Sequence, residues 1–130
     1  MKVLALDYGS ARTGVAVSDP TGTLARPLGV VARAGSDAGL AELARLVREE
    51  GAERVVVGLP LTMRGARGEQ ALETERFVGR LREVLEVPVE LYDERFTTDL
   101  AQRTESAAPE DARAAAHLLT TYLEWSAARS

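Results

Sequence analysis

The sequence has no cysteine and very little histidine or lysine, and each shortage excludes a kind of chemistry. Without cysteine there are no disulfides and no thiolate metal ligands. His117 is the only histidine, which excludes a histidine-rich zinc site. Any metal ion would therefore be bound by carboxylates, which favours magnesium or manganese. Lys2 is the only lysine, so the positive charge is almost all arginine, whose planar guanidinium matches phosphate geometry. A biased genome composition explains the excess of arginine at least as well.

Long apolar runs are also missing. None reaches the ~20 residues of a membrane-spanning helix, and the N-terminus lacks the apolar core of a signal peptide. We therefore expect a cytoplasmic protein without membrane contacts. With 130 residues, 45% of them hydrophobic and 28% charged, the chain is predicted to be one globular domain, residues 1–130. The net charge of −4 taken alone argues against nucleic-acid binding, so the positions of the arginines matter more than their number.

The first nineteen residues predict a hairpin with a carboxylate at its rim. Residues 3–6 form an apolar run without polar alternation, as in a strand buried on both faces, and the run ends in Asp7. Residues 8–14, with glycines 9 and 14, predict a turn, and residues 15–17 predict a second apolar strand. Binding and catalysis usually occur at such a rim. A role for Asp7 in capping the turn explains the pattern equally well.

The rest of the chain predicts alternating strands and helices. Pro27 cannot donate to a neighbouring strand, which places the third strand at a sheet edge or a bulge. The order βββαβαβα predicts an α/β, RNase H-like mixed five-stranded sheet flanked by helices. It would consist of an antiparallel meander of three strands plus two strands reached by helical crossovers. The predicted elements are a strand at 23–31, a helix ending at 50, a strand at 54–59, a helix at 69–86, a strand at 88–92 and a helix opening at 109–111.

Three acidic residues lie at the ends of elements: Asp7 after the first strand, Glu94 after the fifth, and Asp111 in the first turn of the last helix. Ligands gather at the carboxyl ends of strands, so these carboxylates meet there if the first and fifth strands are close. Carboxylates that close repel unless a cation lies between them. Two divalent ions ~3.5–4 Å apart would clamp a phosphodiester and activate water. In the simpler alternatives, Asp111 stabilises the helix dipole and Glu94 pairs with Arg12 or Arg95.

Four ordered blocks of the sequence resemble the YqgF/RuvX family, whose members are described as Holliday junction resolvases and pre-16S rRNA nucleases. The blocks are residues 7–19, residues 57–61 with Gly65 and Gly68, residues 93–98, and residues 111–123. The resemblance implies an RNase H-like, metal-dependent nuclease. Its implied catalytic and metal-binding residues are Asp7, Glu94 and Asp111, with Mg²⁺ or Mn²⁺ as the cofactor.

The resemblance also implies contacts between arginines and nucleic acid. Arg12 matches an arginine of the family's first turn, either as a phosphate contact or as a scaffold that bridges backbone carbonyls. The loop at 61–68 is more cationic than the family pattern, which favours a phosphate backbone unless the loop tip is simply solvated. The connection at 102–110 is shorter than in the family, which bears on the angle at which Asp111 enters the site. The predicted substrate-binding residues are Arg12, Arg64, Arg67 and Arg95.

The leading functional hypothesis is a nuclease, expected to be an endonuclease, that processes the 5′ end of pre-16S rRNA in ribosome biogenesis. The alternatives are a Holliday junction resolvase in DNA recombination and repair, or a non-catalytic nucleic-acid-binding module of the same fold. A sugar-kinase or actin-like architecture is less favoured because it needs two such domains. We expect a monomer or weak homodimer, and resolution of a symmetric four-way junction would require the dimer.

Overall fold

The computed structural model describes residues 1–60, 68–93 and 110–129, which form a five-stranded sheet with helices on both faces. The mixed sheet and its element order confirm the predicted fold class. None of the helices within these ranges is long and apolar enough to cross a membrane. The elements are β1 (Val3–Asp7), β2 (Arg12–Ser18), β3 (Ala25–Ala32), α1 (Asp37–Glu50), β4 (Arg54–Leu59), α2 (Glu69–Val84), β5 (Val89–Asp93) and α3 (Glu110–Ala128).

The sheet has the strand order β3-β2-β1-β4-β5. The first three strands pair antiparallel, whereas β1 with β4 and β4 with β5 pair parallel. The register of β2 against β3 shifts where Val15 pairs with Gly29 and Ala16 with Pro27. Pro27 therefore lies on an edge strand and beside a bulge, and both predicted settings are confirmed.

Two apolar layers cover the two faces of the sheet. Leu4 and Leu6 of β1 pack with α1 and α2, while Val3 and Ala5 pack with α3. Because side chains alternate along a strand, Asp7 continues the second series and lies on the face that α3 covers. The apolar spacing in α3 predicts that Ala112, Ala115, Leu119 and Leu123 share one face, and all four side chains are buried.

Helix α1 ends at Glu50, as the sequence predicts, and it starts directly after Ser36, a residue type that favours the N-cap position. The Ser36 side chain accepts a hydrogen bond from the Gly39 N–H at 3.0 Å, which caps the first turn. Gly51 follows the last residue with φ 66°, a left-handed conformation that glycine adopts at low cost.

Three details differ from the sequence-based predictions. Gly14 lies inside β2 rather than in the turn, because β2 already begins at Arg12. Helix α2 ends at Val84, two residues early, and its buried face runs through Ala71, Thr74, Phe77, Val78 and Leu81. The apolar spacing of this helix predicts that Leu72 faces inward, but the buried face passes through Ala71 instead and Leu72 is 39% exposed.

Candidate active site

Asp7 ends β1 at the carboxyl edge of the sheet and is partly buried beneath α3. Burial, with a smaller contribution from the negative charge of Asp111, raises the pKa of Asp7 to about 6. Among the described residues, no hydrogen bond stabilises the Asp7 carboxylate. It is therefore a desolvated carboxylate that gains from any cation placed against it.

Asp111 is the second residue of α3 and reaches the same edge of the sheet. Its Oδ2 lies 3.3 Å from the Nε of Arg12, which begins β2. The first turn of a helix also favours a negative charge. Despite the short 102–110 connection, Asp111 thus pairs with Arg12 and lies close enough to Asp7 for the two carboxylates to repel.

The backbone contact that places Asp111 is made by Gly14. Gly14 pairs with Asp7 across β1 and β2, and a Cβ added to it would overlap the carbonyl oxygen of Asp111. A glycine inside a strand commonly marks such a close approach of two backbones. The sequence pattern places Gly14 in the turn and therefore does not predict this contact.

The turn between β1 and β2 is held by Thr13 rather than by Asp7. The buried Thr13 hydroxyl accepts from the Gly9 N–H and donates to the Gly9 carbonyl, both at 3.4 Å. A Cβ on Gly9 would lie 2.5 Å from the Arg12 carbonyl oxygen, so the turn is tight. The turn-capping alternative for Asp7 is not supported, and its carboxylate is left for another role.

The structure thus brings Asp7, Asp111 and Arg12 together. The other predicted site residues, Glu94, Arg64, Arg67 and Arg95, lie outside the described residues. Strand β4 separates β1 from β5, so the two strand ends are about two interstrand spacings, ~10 Å, apart. Within the described ranges no group of three or more possible protein ligands could hold a metal ion.

The donor chemistry of the pair fits a hard divalent cation. Asp7 and Asp111 offer carboxylate oxygens only, which suit Mg²⁺ or Mn²⁺. A cation between them would remove the repulsion that helps to raise the pKa of Asp7. The two residues therefore form part of a candidate cation site that further oxygen ligands would complete.

The raised pKa predicts how stability depends on pH when divalent ions are removed. Between the ordinary value of 3.8 and about 6, the folded state binds more protons at Asp7 than the unfolded state. The free energy of unfolding should therefore fall as the pH rises through this window, by at most about 3 kcal/mol. Urea unfolding in EDTA at pH 4.5 to 8 measures this. The difference in the free energy of unfolding between the wild type and Asp7→Asn should shrink toward low pH. A difference that does not change with pH would contradict a raised pKa of Asp7.

Comparison with known proteins shows the family to which the chain belongs. Residues 1–125 match the RuvX family, which is described as "Holliday junction resolvase". A Chloroflexus aggregans protein is 48% identical over 101 residues, covering 78% of this chain and 71% of that protein. A Syntrophomonas wolfei protein is 38% identical over 133 residues, covering 95% and 94%. Both are named "Putative pre-16S rRNA nuclease".

The structural comparison supports the fold. The structure of T. thermophilus RuvC in complex with Holliday junction substrate superposes with a TM-score of 0.65 at 20% identity, covering 100% of this chain and 98% of that chain. The predicted RNase H-like class and the predicted family are both confirmed. From the match over nearly its whole length, the chain belongs to the RuvX family.

Proposed function

We propose that the protein is a divalent-metal-dependent nuclease that processes the 5′ end of pre-16S rRNA. The observation that carries the proposal is the pairing of a buried strand-end carboxylate, Asp7, with the first-turn carboxylate of Asp111. Membership of the RuvX family and the name shared by its relatives support hydrolysis of phosphodiester bonds in nucleic acid. Such a substrate would place the protein in the cytoplasm.

In this proposal Asp7 and Asp111 hold Mg²⁺ or Mn²⁺, with Glu94 as the predicted third carboxylate. The ion would supply Lewis-acid polarisation of the phosphate and activation of the attacking water. Burial beneath α3 keeps the Asp7 carboxylate poorly hydrated, which strengthens its attraction to a cation.

Arg12 has two functions in the proposed site. Its Nε group orients the Asp111 carboxylate, and its side chain is 70% exposed, so further N–H groups remain accessible to solvent. These donors suit a phosphate oxygen of the substrate. The sequence leaves a phosphate contact and a bridge between backbone carbonyls as alternatives for Arg12. The ion pair with Asp111 is a third contact, and it is compatible with a phosphate contact.

The test is cleavage of two end-labelled substrates by purified protein with Mg²⁺ or Mn²⁺. One substrate is a pre-16S rRNA fragment that spans the mature 5′ end, and the other is a four-way DNA junction. We expect cleavage of the RNA near the mature end and its loss in EDTA. If the RNA stays uncut and the junction is cut symmetrically, the rRNA proposal is wrong and the protein is a resolvase.

The resolvase is the second candidate because the family is described by that activity. Symmetric junction cleavage needs two active sites, hence a dimer. Sedimentation of the protein with and without junction DNA therefore distinguishes the candidates independently of cleavage. A protein that sediments as a monomer both with and without the junction favours the rRNA nuclease.

A further inference from the structure

A cavity of about 370 Å³ lies on the opposite face of the sheet from Asp111, between the β1–β2 turn, the start of α1 and the helix α2. We call it the arginine groove. None of its residues is among the site residues predicted from the sequence. Its lining includes Tyr8, Ser10, Arg33, Arg76, Phe77 and Arg80.

The groove is cationic although the protein as a whole carries a net charge of −4. Three guanidinium groups line it against one carboxylate, that of Glu73. Arg80 is already engaged, because it donates to the Gly35 carbonyl and, at 3.0 Å, to the Asp37 carboxylate. Within the described part of the chain, Arg33 and Arg76 form no ion pair with a carboxylate. These two exposed side chains are available to an anion.

The walls of the groove are fixed by the fold. Tyr8 and Phe77 stack with ring centroids 4.3 Å apart and planes 18° from parallel, which ties the β1–β2 turn to α2. Arg33 has φ 46°, a left-handed conformation that is uncommon for a residue with a side chain. Its N–H donates to the Ala11 carbonyl at 3.0 Å, and its carbonyl accepts from the Ser36 N–H at 2.9 Å. The position of Arg33 is therefore set before a ligand arrives.

The groove is adjacent to the candidate active site. Tyr8 directly follows Asp7, and alternation along the chain turns the two side chains to opposite faces of the sheet. Their Cα atoms are ~3.8 Å apart, so the groove begins at the residue next to Asp7. A strand cleaved at Asp7 reaches the groove by passing over the rim of the sheet at the β1–β2 turn.

We propose that the arginine groove binds the phosphate backbone of the substrate strand next to the scissile bond, through Arg33 and Arg76 with the Ser10 hydroxyl alongside. This inference rests on the proposed nuclease function. It explains how an acidic protein gains affinity for a polyanion, because local charge rather than net charge determines the contact.

The test compares two double variants that each lose two positive charges. Arg33→Asn with Arg76→Gln changes the groove, and asparagine tolerates the left-handed backbone at position 33. Arg45→Gln with Arg48→Gln changes the exposed side of α1 away from the groove. The probe is a fluorescein-labelled RNA hairpin with a single-stranded 5′ tail, and binding is measured by anisotropy in EDTA at several salt concentrations.

We expect the groove variant to bind about 10-fold more weakly and the slope of log Kd against log salt to fall by about 1–2. The α1 variant should bind as the wild type does. Equal losses in both variants, or a wild type that does not bind the hairpin, would overturn the proposal.

Two further arms sharpen the result. For DNA of the same sequence, the groove variant should lose affinity by the same factor, because a phosphate contact does not involve the sugar. A loss of affinity confined to RNA would overturn the assignment of a phosphate contact. Since binding is measured without metal, loss of affinity in the groove variant supports the groove even if the wild type never cleaves. In that case only the nuclease proposal fails.

Discussion

Replacing Asp7 by asparagine is expected to reduce cleavage by ~10³-fold or more, which corresponds to ~4 kcal/mol in the activation barrier. The change removes the buried negative charge that would attract the divalent ion and keeps the size of the side chain. Single-turnover cleavage of the labelled pre-16S rRNA fragment with saturating Mn²⁺ measures the loss.

The matched control is Asp19→Asn. Asp19 lies at the opposite end of the β1–β2 pair, where its Oδ1 accepts from the N–H groups of Thr23 and Leu24 at 2.8 and 2.9 Å. Asparagine forms similar side-chain caps, so this variant should fold and cleave within a few-fold of the wild type. If Asp7→Asn also keeps nearly full activity, Asp7 is not a metal ligand and the proposed mechanism is wrong.

Stability separates this prediction from a trivial loss of fold. Because burial penalises the ionised Asp7, the asparagine variant should be more stable than the wild type in EDTA at pH 8, by up to about 3 kcal/mol. Activity and stability are thus expected to change in opposite directions. A site that holds unfavourable charge for its function behaves in this way.

Most of the scaffold follows from local sequence signals. The uninterrupted apolar runs predict β1 and β4 as central strands, and both are almost completely buried. Ser36 and Gly51 mark the two ends of α1 through capping chemistry that depends on only a few neighbouring residues. Such signals are local, so they can be read without knowledge of the tertiary structure.

The parts of the site that the sequence did not predict depend on contacts between distant elements. Arg33 follows β3, whereas Arg76 and Arg80 belong to α2, and only the packing of α2 against the β1–β2 turn brings them into one groove. Their single sequence signal is the i,i+4 spacing of Arg76 and Arg80, which is common on solvated helix faces. The positions of Asp7 and Asp111 at the ends of their elements predict that the two residues lie close together. The sequence does not predict the backbone contact between Gly14 and Asp111 that holds them there.

The substitution Gly14→Ala is expected to disrupt this backbone contact. The added methyl group would overlap the Asp111 carbonyl, and the backbone at the start of α3 cannot rotate away as a flexible side chain could. We expect the free energy of unfolding to fall by roughly 1–3 kcal/mol. Cleavage should fall by about 10²-fold, because the displaced α3 moves Asp111 away from Asp7.

Gly29→Ala is the matched control, since Gly29 also lies in a strand and a Cβ there would meet no atom within 4 Å. An alanine at this position should be neutral or stabilise by about 0.5–1 kcal/mol, because it restricts the unfolded chain. Urea unfolding and cleavage are measured for both variants. A Gly14→Ala protein that matches Gly29→Ala in both would mean that α3 can shift without cost and that the Gly14 backbone does not position Asp111. If Gly14→Ala loses stability but keeps full activity, the contact serves only the fold, and Asp111 reaches its working position by another route or has none.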